Sequence, residues 1–302
     1  MAIRPVNRAQ RIMFWTALFG ASLTSLGYAR TLSESDYRHI VEFQDPALSP
    51  DGRYSATIIS RVVWNEDRRI HSLFIARTRG VAWTRELLVG RKGLSSPQFS
   101  PDASQLAILL NDSAGRAQIY VMPSAGGPVR QVTHSATDID AFAWRPDGRA
   151  FAYTASPPAP HRSGPDRFRD SFIFTTEPIT ARSKPQPLHV FVQQINSSHA
   201  TQLTFGERSG ISGGPLSWSP DGRRIGFVLC PTNITDDEDR SQVAAVDVAS
   251  RRLTLMTTHR AWEGTPLFSP DGKRFAFTYS GGDPQFSLNQ LYVTGSRGGD
   301  GT

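Results

Sequence analysis

A tetrapeptide turn recurs five times along the chain. Ser49-Pro50-Asp51-Gly52 is followed by Ser100-Pro101-Asp102-Ala103, Arg145-Pro146-Asp147-Gly148, Ser219-Pro220-Asp221-Gly222 and Ser269-Pro270-Asp271-Gly272. The aspartates are 51, 45, 74 and 50 residues apart. Proline fixes its own φ, the carboxylate hydrogen-bonds nearby backbone N–H groups, and glycine accepts a positive φ. Ala103 breaks the pattern, so that turn is expected to be strained or of another type. A period of this length marks a stacked array of one supersecondary unit.

The flanks repeat as well. A large apolar residue precedes each turn: Leu48, Phe99, Trp144, Trp218 and Phe268. Five residues after each aspartate stands a small one (Ala56, Ala107, Ala152, Gly226, Ala276) with apolar neighbours, as expected of a buried strand approached closely by another element. Third strands are expected at Leu73–Ala76, Ile119–Met122, Leu188–Val192, Val243–Val248 and Leu291–Val293. Fourth strands follow in the first four units only, at Glu86–Val89, Val129–Thr133, Thr201–Thr204 and Leu253–Thr257. Four short strands per unit make a β-propeller blade, whose faces are buried only by neighbouring blades. The fold class is therefore all-β, a propeller of four-stranded antiparallel blades, four complete and a fifth partial. The blades are expected at about 44–92, 93–137, 138–207, 210–259 and 262–296, and the chain reads as ending mid-blade.

The 74-residue spacing places an insertion at 156–187, where seven prolines preclude regular structure apart from one short strand at Phe172-Ile173-Phe174. Long loops on propellers often carry binding. Of the arginines there, Arg167 and Arg169, beside Phe168 and Phe172, are the candidates for clamping a carboxylate of a peptide or protein partner; Arg162 and Arg182 lie in the same stretch.

Ahead of the propeller, Ser33 and Asp36 have capping-box spacing, predicting a short helix over Glu34–Glu42 within 30–43. Residues 1–29 have the charged, apolar, small-residue order of a secretory signal: Arg4, Arg8 and Arg11, then Ile12 to about Leu26, then Gly27-Tyr28-Ala29. Kept uncleaved, the 18 residues Ile12–Ala29 would just reach the length of an anchor. After cleavage no membrane span is expected, and the location is periplasmic or secreted. The formal charge of +6 falls to +3 without that segment, which excludes a nucleic-acid footprint. The single cysteine, Cys230, excludes an intramolecular disulfide and a thiolate metal cluster.

These repeats resemble the WD-like propeller repeat found in the periplasmic protein TolB and in the prolyl oligopeptidase family of serine peptidases. Ile40 to Gly52 (IVEFQDPALSPDG), the insertion, and Gln202-Leu203-Thr204 are similar to the acylaminoacyl-peptidase and dipeptidyl-peptidase branch. The resemblance covers roughly residues 30–302. It implies the non-catalytic propeller of a secreted peptidase, gating peptides for an α/β-hydrolase domain that this chain lacks. The alternative is a stand-alone TolB-like propeller that binds protein or peptide partners. The resemblance implies no cofactor.

Three other features invite chemistry. Gly210-Ile211-Ser212-Gly213-Gly214 fits G-x-S-x-G, but a nucleophile elbow needs a buried strand before it and a helix after it. Phe205–Ser209 is largely polar, and Pro215–Trp218 opens the fourth unit, so Ser212 is expected in a loop. Asp236-Asp237-Glu238-Asp239 lacks the alternating ligands and glycine of a calcium loop and is expected as a solvated connection. The seven histidines show no metal-ligand spacing, and His189 falls inside a strand. No metal and no catalytic residue is expected.

Overall fold

A computed structural model describes residues 33–37, 40–169, 171–173, 180–181, 185–259, 262–281 and 288–299. The predicted signal segment, Arg182 and Phe174 lie outside the described residues. Two compact units are distinguished, 1–40 and 41–302. In the first, helix α1 (Glu34–Tyr37) begins at Ser33, whose N–H donates to the Asp36 carboxylate at 2.7 Å. The helix expected over Glu34–Glu42 is shorter than that reading: from Val41 the chain is already strand, because Phe43 and Gln44 pair with Ile59 and Ile58 of the next strand.

The second unit holds the blades. Blade 1 is β1 (Val41–Leu48), β2 (Tyr54–Val63), β3 (Arg68–Arg77) and β4 (Trp83–Leu87). Blade 2 is β5 (Ser95–Phe99), β6 (Gln105–Asn111), β7 (Ala117–Pro123) and β8 (Arg130–Gln131). In blade 3, β9 (Ile139–Trp144) and β10 (Ala150–Ala155) are separated by the insertion, with its small hairpin β11 (Phe172–Ile173) and β12 (Thr180–Ala181), from β13 (His189–Gln194) and β14 (Ala200–Gln202). Blade 4 splits its first strand into β15 (Ser209–Gly210) and β16 (Ser217–Trp218), followed by β17 (Arg224–Cys230), β18 (Gln242–Asp247) and β19 (Leu253–Leu255). Blade 5 has three strands among the described residues: β20 (Gly264–Phe268), β21 (Arg274–Tyr279) and β22 (Gln290–Gly295).

Each interblade seam is one buried cluster. Phe99, Trp144, Trp218 and Phe268, the residues before the turns, lie against the small residue of the preceding blade. A Cβ on Gly226 would stand 3.0 Å from Phe275 and 3.3 Å from Phe268, so the aromatic pair of blade 5 occupies the space a side chain would take. Among the described residues, large apolar side chains are exposed on the first and last blades: Phe43 and Leu48 on blade 1 are 72% and 65% exposed, and Leu267 and Leu291 on blade 5 are 58% and 68% exposed.

The turns explain the repeat chemically. In blade 1 the Ser49 hydroxyl donates to Asp51 and accepts the Tyr54 N–H, while Asp51 takes the Arg53 N–H. Blades 2, 4 and 5 repeat this network, and the serine hydroxyl is the leading reason that Asp51, Asp102, Asp221 and Asp271 are held below the usual carboxylate pKa. Ala103 adopts φ +60° beside Gly52, Gly148, Gly222 and Gly272 at +66° to +69°, so the turn type is retained at the cost of strain.

That position yields a prediction. Ala103→Gly relieves left-handed strain of about 1–2 kcal/mol. It also frees the unfolded chain by about 0.4–1 kcal/mol and removes a buried methyl worth about 0.8 kcal/mol, so the net change is expected within about 0.5 kcal/mol. Gly148→Ala, where a Cβ would meet nothing closer than Pro101 at 3.9 Å, should cost about 1 kcal/mol in a urea melt. Stabilisation of more than about 1.5 kcal/mol by Ala103→Gly would refute the balance.

Candidate functional site at the loop end of the blades

An antiparallel meander places its turns alternately at two ends. The strand 1–2 and 3–4 turns lie at one end, here the turn end. The strand 2–3 connections and the links between blades lie at the other, the loop end. The insertion is a strand 2–3 connection of blade 3, so its base belongs to the loop end, and hydrogen bonds fix that base. Thr137 Oγ1 donates to the Ser156 carbonyl, Ser156 Oγ donates to the Gln186 carbonyl at 3.1 Å, and Asn233 Nδ2 of blade 4 donates to the same carbonyl at 2.8 Å. The insertion is thereby tied to the neighbouring blade's 2–3 connection.

That connection holds the acidic run. Thr235–Arg240 is a 3-10 turn in which Arg240 pairs with Asp237 and lies 3.7 Å from Asp239, and Thr232 donates to Asp237. Among the described residues no group of acids and histidines could hold a metal ion. Beside the turn, Arg208, Pro231, Arg240, Gln242, Leu255 and Thr257 line a cleft of about 550 Å³. Arg208 and Arg240 were not singled out by the sequence pattern, because arginine is common throughout the chain and the cleft joins segments about 50 residues apart.

Arg167 lies in the 3-10 turn Gly164–Phe168 of the insertion, and Arg169 caps it with its N–H on the Asp166 carbonyl at 3.1 Å. Arg169 is exposed; the side chains of Arg167, Phe168 and Phe172 lie outside the described residues. Phe172–Ile173 forms a strand, paired with Thr180–Ala181.

Ser212 sits in the loop between β15 and β16. Its hydroxyl donates to Asp140 Oδ1 of β9 at 2.7 Å, and the Gly213 N–H donates to Oδ2 at 2.8 Å. This is a latch between the innermost strands of blades 3 and 4. Blade 1 does the same to blade 2, where Asp45 accepts the Ser96 N–H at 2.9 Å. Ser212 thus lies in a loop that leads into strand β16, which is not the strand-turn-helix arrangement of a nucleophile elbow. His189 is a buried member of β13 with Nδ1 3.4 Å from Thr204 Oγ1, and burial lowers its pKa. Burial pushes the Cys230 thiol up to about 12, leaving it unreactive.

No protein-family model matches the chain. Over 252 residues it is 27% identical to a Bacillus subtilis protein named as uncharacterized peptidase YuxL, covering 82% of this chain but 31% of that protein. Over 237 residues it is 26% identical to the uncharacterized protein Atu1656 of Agrobacterium fabrum, covering 78% of this chain and 65% of that one. Among solved structures, a putative TolB from Agrobacterium tumefaciens matches with a TM-score of 0.55 at 22% identity, over 86% of this chain and 79% of that one. An acylaminoacyl peptidase from Pyrococcus horikoshii matches with 0.60 at 15% identity, over 87% of this chain and 40% of that one. The fold is shared with both. The chain thus resembles the propeller portions of such peptidases and TolB, and spans under two thirds of the length of the two sequence relatives. Among the described residues no helix is long and apolar enough to cross a membrane.

Proposed function

We propose that this chain is the propeller portion of an exported prolyl-oligopeptidase-type serine peptidase, positioning or gating peptides at its loop end without hydrolysing them itself. The observation that carries the reading is the insertion of blade 3 tied through Gln186 and Asn233 to the rim of the arginine-lined cleft. A guanidinium is suited to a peptide carboxylate, and Leu255 and Pro231 supply apolar contact. Arg167 and Arg169 are the proposed clamp on the insertion. The 27% identity to the YuxL peptidase over 82% of the chain supports the family half of the reading.

A second reading has its own support. The putative TolB structure is matched over 79% of its length, so a periplasmic propeller that binds a protein partner is the alternative. Fluorescence anisotropy with a labelled hexapeptide tests the two. The free acid should bind more tightly than its amide, and Arg167→Ser/Arg169→Ser should weaken the acid about tenfold, one charge-assisted contact's worth. Equal binding of acid and amide, or an unaffected double variant, would remove the clamp. Labelling of Ser212 by a fluorophosphonate would overturn the absence of catalysis.

A further inference from the structure

At the turn end, a cavity of about 390 Å³ is lined by Arg224, Arg252, Arg297, Asp247, Ser250 and Met256. Its geometry follows from blade 4 and the segment that leaves β22. Ser296 donates its N–H to the Lys273 carbonyl and accepts Arg224 Nη1 at 2.5 Å. Three residues later the Gly299 N–H donates to the Met256 carbonyl at 2.7 Å. Arg297 is therefore held between two anchored positions. Gly298, at φ +105°, allows the crossing, because a Cβ there would stand 2.9 Å from the Met256 carbonyl oxygen.

Among the described residues, the charges lining the cavity do not cancel. Asp247 is committed through Oδ1 to the turn it closes, accepting the N–H groups of Ala249 and Ser250 and the Ser250 hydroxyl at 2.8–3.1 Å. Arg224 is held by the Ser296 carbonyl and lies 5.0 Å from the Phe268 ring. Among the described residues no acid pairs with the side chain of Arg252 or Arg297. Arg224 is within electrostatic reach of Asp221, and Asp247 of Arg223, which leaves the guanidinium groups of Arg252 and Arg297 as two positive charges facing a space larger than a bare anion requires. Guanidinium forks match the oxygens of a phosphate.

We infer that this cavity binds the phosphate group of a small phosphate monoester. The site lies at the end opposite the peptide cleft and stands independently of that reading. The two negative charges of a monoester match the two uncompensated positive ones, and the remaining volume accommodates the group it esterifies.

Calorimetric titration of the whole chain with glycerol phosphate at low salt tests this, with glycerol as the uncharged comparison. Glycerol phosphate should bind and glycerol should not. Arg252→Gln and Arg297→Gln should each weaken binding about tenfold, as expected for loss of a charge-assisted contact, and both side chains are exposed enough for the fold to survive. Arg251→Gln removes an adjacent charge that does not line the cavity and should leave the affinity unchanged. Sedimentation with phosphatidic acid vesicles separates the sources: vesicle binding lost in the same two variants assigns the phosphate to a lipid headgroup, and none assigns it to a soluble ester. Failure of wild type to bind either phosphate, or equal weakening by Arg251→Gln, would overturn the site.

Discussion

Trp144→Ala should lower the stability of the propeller by roughly 3–5 kcal/mol, the range for truncating a buried large aromatic. The indole is 8% exposed, its ring centroid lies 4.2 Å from that of Phe151, and Nε1 donates to the Gln98 carbonyl of the preceding blade at 3.0 Å. Truncation therefore opens a cavity in the blade 2–3 seam and also leaves a carbonyl of β5 without its donor. Trp144→Phe keeps most of the packing and loses the hydrogen bond, so it should cost about 1–2 kcal/mol. The consequence exceeds the midpoint shift. In an array whose units touch only their neighbours, stability is a sum of unit and seam terms, and a weakened central seam uncouples the two sides. Calorimetry of Trp144→Ala should show a broadened or split transition, and Leu267→Ala, with that side chain 58% exposed on blade 5, should leave a single transition in place. A Trp144→Ala protein melting as wild type would mean that the seam carries little of the coupling.

Trp144 also marks what the sequence could reveal. Its place before a turn, shared with Phe99, Trp218 and Phe268, was legible because the same packing problem is solved at every seam. The strands were legible for that reason, including the three described in blade 5. The length of α1 was not. Ser33 and Asp36 do form the cap, but a cap marks only where a helix starts, and the pairing of Val41 and Glu42 with Arg61 and Ser60 of β2 ends it sooner than the sequence suggested. The state of Ala103 was half legible: the missing glycine signalled strain, whereas retention of the turn type depends on the Ser100–Asp102 network that surrounds it.

The sites were less legible than the frame. Proline density located the insertion, but the hydrogen bonds from Ser156 and Asn233 that fix its base come from residues 30 and 47 positions away. Likewise the two cavities are built from arginines that periodicity cannot distinguish from the rest. The flanks of the G-x-S-x-G match placed Ser212 in a loop, as found, yet its hydrogen bond to Asp140 spans 72 residues and had no local signal.

Glu263 is the largest such omission, and its removal is the second strong prediction. The carboxylate is 2% exposed and accepts four contacts: the Val243 N–H at 2.8 Å, the Thr257 hydroxyl at 2.6 and 2.7 Å, and His259 Nδ1 at 2.7 Å. In blades 2 and 3 the corresponding strand 3 N–H donates to a threonine hydroxyl, Ile119 to Thr133 and Val190 to Thr204. Blade 4 retains the threonine but turns its hydroxyl to the carboxylate, which takes over the N–H and gathers His259. The His259 ring in turn stacks on Tyr279 of blade 5, centroids 4.1 Å apart and planes within 10°. The pair therefore joins the end of blade 4 to the aromatic face of blade 5. Glu263→Ala strands a buried N–H and leaves the imidazole without its partner. The expected cost is about 3 kcal/mol, at the low end for breaking a buried pair because the His259 side chain is 20% exposed. Glu263→Gln keeps an acceptor for Val243 and should cost about half as much. Thermal melts followed by near-ultraviolet circular dichroism read both effects, since Tyr279 and Tyr292 lie around the imidazole at 4.1 and 6.3 Å between centroids. The tyrosine signal should collapse in Glu263→Ala and persist in Glu263→Gln. Equal losses in the two variants would show that charge, not the hydrogen-bond acceptor, holds the junction.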